Sequence, residues 1–188
     1  MDGYGTEEGL LGFLRLVGVL KHLKRTGWVQ AGVREPESVA AHMYRMALMA
    51  LVLRPQDGRA LRMALVHDLA ECIVGDITPN CGVAKDEKRR MEEAAMRRIG
   101  ELLRPHSAEA ASEVMQLFEE YERGNSATAR FVKGLDKLDM VLQAVEYQTQ
   151  QPELELDEFF AALHAIDDPS LQRLGVAAVA SRLRPSAS

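Results

Sequence analysis

The chain has 188 residues, 47% of them hydrophobic, and a formal net charge of −5 at pH 7. This length and apolar content are enough for one sizeable core. We therefore expect a single domain over residues 1–188, with its core at about 10–165 and a frayed tail at about 184–188. A net negative chain lacks the clustered Lys and Arg that bind nucleic acid backbones, which excludes a nucleic acid polymer as the expected partner.

Cysteine content and hydropathy predict a cytoplasmic protein. The two cysteines, Cys72 and Cys81, form no CxxC pair, so neither a disulfide framework nor a zinc ribbon is predicted. The apolar stretch at 10–23 is interrupted by Arg15 and Lys21 and is too short to span a bilayer. We expect no membrane segment and no secretion signal.

Helical periodicity runs through almost the whole chain, and no stretch alternates apolar and polar residues as a half-buried strand would. The first predicted helix covers about 6–24, and Trp28 follows it in a loop. A second helix begins near Pro36. Its apolar stripe consists of Val39, Met43, Met46, Ala50 and Leu53.

The third predicted helix begins at Asp57 as N-cap, runs through the adjacent His67 and Asp68, and ends at Gly75. The remaining helices are predicted at about 86–103, 107–124, 126–147, 156–164 and 170–183. Met91 is among the residues expected to face inward on the fourth helix. The fold class that follows is all-α, a helical bundle of about eight helices.

The pair His67-Asp68 is the first candidate for chemistry. On a helical wheel with His67 at zero, Asp68 lies near about 100° and Glu71 near about 40°, so Glu71 points between the other two side chains. That direction suits a carboxylate that transfers protons beside a metal ion without binding it. The alternative is a hydrogen-bonded pair at a helix end with a surface acid one turn later.

Two further residues complete a candidate metal site. His42 borders the apolar stripe of the second helix, and Asp136 lies between two leucines that must be buried. Each also has an ordinary explanation, as a hydrogen-bonded core histidine and as a surface acid that pairs with Lys133 or Lys137. Asp139 shares a face with Asp136 and is a rival fourth ligand.

Two imidazoles and two carboxylates suit one divalent ion of borderline character, and an open coordination position on such an ion activates water. The residues therefore predict a metal-dependent hydrolase. The other histidines, His22, His106 and His164, have no ligand spacing with this group, so we expect a mononuclear site.

Three linked segments carry a resemblance to a known family: RTGWVQAGVREPESVAAHMYRMA, HDLAECIVGDITP and KGLDKLDMVLQA. Over about residues 10–165, the chain resembles the HD-domain phosphohydrolases, and among them the 5′-deoxynucleotidase branch. The resemblance implies a helical fold, a homodimer, and hydrolysis of deoxyribonucleoside 5′-monophosphates to deoxynucleoside and phosphate. It also implies one divalent ion, which could be Mn, Co, Fe, Zn or Mg.

The same resemblance assigns roles to individual residues. It makes His42, His67, Asp68 and Asp136 the metal ligands and Glu71 the catalytic acid or base. It places Asp76 near the sugar and Trp28 where a 2′-hydroxyl would lie. An apolar wall there would exclude ribose, because a buried hydroxyl without a partner costs roughly 1–3 kcal/mol. From the residues alone, the preferred interpretation of Trp28 is a core anchor after the first helix.

The chain departs from some relatives around Trp28, with Gly27 in place of an arginine before it and Ala31-Gly32 in place of Arg-Asn after it. The candidates for binding the phosphate are therefore Arg25, Arg34 and Lys137. These departures motivate one alternative, a hydrolase acting on another nucleotide or phosphate ester. A second alternative is a non-catalytic nucleotide-sensing module, against which the presence of Glu71 argues.

Overall fold

The structure is a computed structural model that describes residues 5–182. Within this part of the chain the regular elements are helices, with one isolated antiparallel bridge between Lys24 and Ser38. The α-helices are α1 (Thr6–Leu20), α2 (Thr26–Gln30), α3 (Val39–Leu53), α4 (Gly58–Ala64), α5 (Glu71–Val74), α6 (Lys85–Leu103), α7 (Ala108–Arg123), α8 (Ala127–Gln150), α9 (Asp157–Phe160) and α10 (Pro169–Ser181). Two 3₁₀ helices lie at Pro79–Cys81 and Ala161–Ala165.

The predicted all-α class is confirmed. Residues 5–182 contain ten α-helices rather than the expected eight, because the third predicted helix is divided into α4 and α5 and the segment around Trp28 forms the additional helix α2. α1 ends at Leu20, four residues earlier than predicted, and Trp28 lies in the short helix α2 rather than in a loop. The predicted tail at 184–188 lies outside the described residues. None of the helices in residues 5–182 has the length and apolarity that a bilayer crossing requires.

The third predicted helix is the largest correction. α4 ends at Ala64, and α5 begins only at Glu71. The six residues between them turn through short-range bonds, such as Leu69 N–H to Val66 carbonyl at 2.9 Å and Glu71 N–H to Asp68 carbonyl at 3.1 Å. His67 and Asp68 therefore lie in a tight non-helical turn, and the wheel that related them to Glu71 does not apply.

α8 is the central element, because it packs against α3, α4, α7 and α10. Its 24 residues bury a continuous apolar face. The fully buried side chains of this core include Val132, Leu135, Val141, Met46, Met63 and Leu171. Removing these surfaces from water supplies the main driving force for folding. Leu171 on α10 shows that the core extends past residue 165.

Two apolar residues predicted to face inward, Leu53 and Met91, are exposed, and so is Leu14 on α1. Each lies at the edge of its apolar stripe, where periodicity does not distinguish the last buried position from the first exposed one. A second, smaller apolar cluster surrounds Trp28. It joins α2 to the C-terminal half of α8 through Tyr147, and it places Trp28 at the side of the cleft described below.

Candidate metal centre

Side chains from α3, the turn after α4, and α8 converge on one buried point. Nε2 of His42 lies 3.3 Å from Oδ1 of Asp136 and 3.7 Å from Oδ2 of Asp68. Nε2 of His67 lies 3.1 Å from the same Asp68 oxygen. His42, His67 and Asp68 each offer a ligand atom within 4.8 Å of the other two, so they could hold a metal ion. The structure therefore brings together residues far apart in sequence.

Hydrogen bonds on the outer sides of the two rings decide which nitrogens face this point. Nδ1 of His67 lies 3.0 Å from the carbonyl oxygen of Ala64, which can only accept, so Nδ1 carries the proton. Nδ1 of His42 lies 2.7 Å from Oδ2 of Asp139. With each Nδ1 donating outward, each Nε2 keeps a lone pair directed at the centre, the arrangement that metal-binding histidines require.

A divalent ion fits this arrangement. Nε2 of His42, Nε2 of His67 and Oε2 of Glu71 are buried and have no hydrogen-bond partner within residues 5–182. Leaving buried nitrogen lone pairs without a partner is costly, and a cation between them and the adjacent carboxylates would remove that cost. Nitrogen and oxygen donors together suit Mn²⁺, Fe²⁺, Co²⁺ or Zn²⁺.

Asp136 and Asp139 occupy different sides of His42. Asp139 is fully buried behind the ring, where one oxygen pairs with His42 and the other accepts from Nε of Arg45. Asp136 lies on the inner side, and its Oδ2 accepts from the Tyr121 hydroxyl at 3.3 Å. Asp136 is not within 4.8 Å of all three residues of the tight group. Its position still favours Asp136 over Asp139 as a fourth ligand, because both oxygens of Asp139 are used on the outer side.

The charges at this point shift the pKa values of its members in opposite directions. Burial and Arg25 favour a neutral His42 ring, yet the adjacent Asp136 and Asp139 raise the pKa of His42 to about 9. Burial raises the pKa of Asp68, but His67 and His42 more than reverse this and lower it to about 2. The pKa of Asp136 is also lowered, because His42 and Arg25 outweigh its burial. A proton on His42 and a metal ion would therefore compete for one lone pair.

Among the residues that the structure describes, Glu71 is the buried carboxyl of the centre that forms no ion pair. It begins α5 and is 5% exposed. Burial, followed by the negative charges of Asp68 and Asp76, raises the pKa of Glu71 to about 11. A buried carboxyl held in its protonated form beside a reaction centre can act as a general acid.

Arg25 is the only one of the three candidate phosphate-binding cations that the structure places at the centre. Its guanidinium lies 3.4 Å from Asp68 and 3.9 Å from Asp136. Arg34 instead pairs with Glu153, and Lys137 donates to the carbonyl of Ala165. Although burial disfavours the charge, Asp136 and Asp68 raise the pKa of Arg25, so it is permanently cationic.

Trp28 and Asp76 are both near the centre but are engaged with the protein itself. Trp28 is 1% exposed, donates from Nε1 to Glu37 at 3.0 Å, and contacts the rings of Tyr147 and Phe159. Oδ2 of Asp76 accepts from the backbone N–H of Thr26 at 2.6 Å. Asp76 therefore holds the first turn of α2, the helix that carries Trp28.

The centre opens into a cleft of about 830 Å³, large enough for a nucleotide-sized ligand. Arg25, His67, Asp68, Glu71 and Asp136 lie along it, and Trp28 and Asp76 form part of its wall. Sequence reasoning missed several other members of its lining, which include Lys88, Tyr121, Lys133, Met140 and Phe159. They come from α6 to α9, and no local pattern relates them to the HD pair.

The geometry defines an all-helical protein with a buried His/Asp centre that opens into a ligand-sized cleft. The chain belongs to the HD-domain family, because the family model described as HD domain matches residues 17–174. The family resemblance noted in the sequence is thereby confirmed.

Relatives with assigned names agree with this placement. A mouse (Mus musculus) protein named 5′-deoxynucleotidase HDDC2 is 53% identical over 147 residues, which cover 77% of this chain and 72% of the relative. A Schizosaccharomyces pombe protein named 5′-deoxynucleotidase hdd1 is 42% identical over 162 residues, with 84% and 82% covered.

Solved structures share the fold. The PH0347 protein from Pyrococcus horikoshii OT3 superposes with a TM-score of 0.73 at 32% identity, covering 92% of this chain and 97% of the other. A structure described as a predicted metal-dependent phosphohydrolase from Magnetospirillum magnetotacticum MS-1 has a TM-score of 0.72 at 27% identity, with 95% and 96% covered.

Proposed function

We propose that this chain is a metal-dependent 5′-deoxynucleotidase that hydrolyses deoxyribonucleoside 5′-monophosphates to deoxynucleoside and phosphate. The observation that carries the proposal is a pair of buried Nε2 atoms, on His42 and His67, that have no hydrogen-bond partner among the described residues. Both atoms lie near Asp68, which lines a nucleotide-sized cleft. The names of relatives up to 53% identical support the same reaction.

In this proposal His42, His67, Asp68 and Asp136 hold one divalent ion, which could be Mn, Co, Fe, Zn or Mg. When bound, such an ion supplies a Lewis acid that polarises a phosphoryl oxygen and lowers the pKa of water. Asp139 keeps His42 in the tautomer that offers Nε2, and the Ala64 carbonyl does the same for His67.

Glu71 is the proposed catalytic acid. In the reaction, a water oxygen bonds to phosphorus, the bond from phosphorus to the 5′-oxygen breaks, and the leaving oxygen needs a proton. Glu71 can supply that proton, because its buried carboxyl holds one near neutral pH. The carboxylate left behind can accept a proton from the next water molecule.

Arg25 is the proposed phosphate-binding residue. Its guanidinium lies against Asp68 and Asp136. Once these carboxylates share their charge with a cation, the guanidinium can pair with two phosphate oxygens in a bidentate arrangement. Lys88 and Lys133, which also line the cleft, add positive charge at its mouth.

Trp28 and Asp76 are the proposed sugar-side residues. The Trp28 ring forms part of the cleft wall, and an apolar wall leaves a ribose 2′-hydroxyl without a partner. Asp76 contributes by holding α2 in place through Thr26, and its remaining carboxylate oxygen is available to a sugar hydroxyl.

We also propose that the chain forms a single HD domain, works as a homodimer and is cytoplasmic. Support for the homodimer comes from α3, whose outer face exposes apolar side chains in a row. Tyr44 is 63% exposed, Leu48 42% and Val52 74%. Exposed apolar rows of this kind mark protein contacts more often than isolated exposed residues do.

The decisive experiment measures phosphate release from deoxyribonucleoside and ribonucleoside 5′-monophosphates with each of several divalent ions. We expect turnover that requires added metal and favours the deoxy substrates. In Glu71→Gln, turnover should fall by about 10²–10⁴-fold while nucleotide binding is retained. Glu101→Gln is the matched control, because Glu101 is an exposed glutamate of α6 that pairs with Arg98, and neither residue lines the cleft.

Other outcomes separate the alternatives. Release of pyrophosphate or triphosphate from longer nucleotides would identify a different phosphohydrolase. Nucleotide binding without turnover under every metal would identify a sensor. Either result would contradict the proposed reaction.

A further inference from the structure

Glu37, in the segment between α2 and α3, contacts two residues that line the cleft, Trp28 and Arg25, and also Tyr147 of the smaller apolar cluster. Its Oε1 accepts the indole N–H of Trp28 at 3.0 Å. Its backbone N–H donates to the Tyr147 hydroxyl at 2.6 Å, and its backbone carbonyl accepts from the N–H of Arg25 at 3.1 Å. Neither the metal centre nor the proposed chemistry uses the carboxylate of Glu37.

The position of this carboxylate is electrostatically unfavourable. It lies within 4.8 Å of a ring nitrogen of His42 and of a carboxylate oxygen of Asp139. Placing a second carboxylate near Asp139 in a largely buried region disfavours its charge. An apolar side chain would avoid that cost, so the glutamate must make a contact that offsets it. The Glu37 side chain makes such a contact with a residue of the cleft wall, because it accepts a hydrogen bond from Trp28.

Trp28 needs such a contact, because aromatic neighbours alone leave its ring free to tilt. Phe159 lies against the indole at 4.3 Å between ring centroids, and Tyr147 meets it edge-on at 5.3 Å. Aromatic pairs of this kind prefer certain arrangements but tolerate a range of ring angles, whereas the N–H···O bond to Glu37 fixes the direction of the indole N–H. A wall residue excludes a hydroxyl only if it cannot move aside.

We propose that Glu37 is a positioning residue that holds the Trp28 indole against the cleft and thereby sets the preference for deoxyribose over ribose substrates. The inference rests on the proposed function, in which Trp28 excludes a 2′-hydroxyl. Glu37 itself touches no reacting atom in this proposal.

The first test does not depend on activity. Trp28 is the only tryptophan of the chain, so intrinsic fluorescence reports on this side chain alone. Glu37→Gln keeps an oxygen acceptor of nearly the same length, and Glu37→Met has similar length without an acceptor. We expect acrylamide to quench Trp28 more effectively in Glu37→Met than in the parent, with Glu37→Gln close to the parent.

The second test compares kcat/KM for a deoxyribonucleotide and its ribonucleotide counterpart in the metal-loaded protein. In Glu37→Met we expect the preference for the deoxy substrate to fall by about 10-fold, the usual weight of a hydrogen bond to a charged group. Most of this change should come from improved use of the ribonucleotide. Glu37→Gln should keep most of the preference, and bound metal should be unchanged in both variants.

A double-mutant cycle assigns the effect to the pair. Trp28→Phe removes the donor, so adding Glu37→Met to it should cause little further change in the preference. If Glu37→Met does not fold, Trp28→Phe alone still has to lower the preference. Two results for Glu37→Met would overturn the inference. One is an equal loss of kcat/KM for both substrates, and the other is an unchanged deoxyribose preference together with unchanged quenching of Trp28. If the parent hydrolyses no nucleotide, the proposed function fails, and the quenching comparison still decides whether Glu37 positions Trp28.

Discussion

His42 and His67 present the same nitrogen to the same point from two different kinds of backbone. His42 lies in the first turn of the 15-residue helix α3, and a side chain, Asp139, orients it. His67 lies in the tight turn between α4 and α5, and a backbone carbonyl, that of Ala64, orients it. One ring is therefore held by a residue that a substitution can remove, and the other by the course of the chain itself.

The largest expected effect is the loss of a proposed ligand on the turn. His67→Ala or Asp68→Ala should release the metal, because too few of the three clustered donors remain to hold it. Phosphate release should fall by about 10²–10³-fold or more, since several kcal/mol of transition-state stabilisation depend on the ion. Elemental analysis after dialysis measures the occupancy.

His22→Ala is the control for this prediction. His22 is exposed just beyond α1 and should leave the metal content unchanged. Full occupancy in His67→Ala or Asp68→Ala would remove these residues from the ligand set.

A second prediction addresses the partner of His42. Asp139→Ala should weaken metal binding by about 10–100-fold, because nothing then fixes the tautomer of His42. Asp139→Asn keeps an acceptor for Nδ1–H and should reduce metal affinity less. Arg45→Met should reduce metal affinity still less, because it leaves Asp139 in place. Competition with a chelator of known affinity measures each step, and equal affinities across the series would show that His42 needs no outer partner.

A third prediction contrasts the carboxyl groups that accompany the two histidines. Asp139 is paired and its pKa is lowered, with hydrogen bonds and charge from His42 and Arg45 outweighing its burial. Glu71 is unpaired, and burial raises its pKa from 4.5 to about 11. Because the pKa of Glu71 is raised in the folded state, its contribution to the free energy of unfolding is fully present below pH 4.5 and is lost as the pH rises towards 11. Glu71→Gln cannot ionise, so the variant should not lose stability in this way.

Metal-free parent and Glu71→Gln proteins are therefore unfolded with urea at pH 6 and pH 9. The free energy of unfolding of the variant, relative to the parent, should rise by at least about 1 kcal/mol between these values. Glu101→Gln, at an exposed position of α6, should follow the parent. Parallel behaviour of Glu71→Gln and the parent would mean that Glu71 is not held protonated in the metal-free fold.

The same comparison explains what the sequence could predict. His42 lies on a regular helix, so apolar spacing was enough to place it beside the core, and it is fully buried. His67 follows residues with the same spacing, yet the helix stops at Ala64. Periodicity of apolar residues does not reveal where this helix ends. The chain continues in tight turns whose apolar residues have a similar spacing, although the backbone is no longer α-helical.

Long-range contacts account for most of what the sequence left open. Arg25, Arg34 and Lys137 were equivalent candidates, and long-range contacts separate them, such as the bond of Arg25 to Asp68, 43 residues away. The link from Trp28 through Glu37 to the outer side of His42 likewise depends on how α2 and α3 meet. The repeated apolar spacing did suffice for the all-α class, because that class depends on local pattern alone.

The smallest expected effects come from the helix caps that precede the two histidines, and they should appear in different measurements. Oγ of Ser38 accepts from Ala41 N–H at the start of α3, and Asp57 accepts from Ala60 N–H at the start of α4. Asp57 also accepts from the Thr128 hydroxyl of α8 at 3.3 Å. Asp57→Ala should therefore cost more stability, about 1–2 kcal/mol against about 0.5–1 kcal/mol for Ser38→Ala.

Metal affinity should follow the opposite order. His42 lies in the very turn that Ser38 caps, so fraying there moves a proposed ligand, whereas His67 lies beyond the end of the helix that Asp57 caps. Urea unfolding without metal and chelator competition with metal measure the two quantities on the same pair of variants. Asp57→Ala could instead lower both stability and metal affinity more than Ser38→Ala does. In that case the turn that holds His67 depends on α4 as a whole, and the prediction that this turn is independent of α4 is wrong.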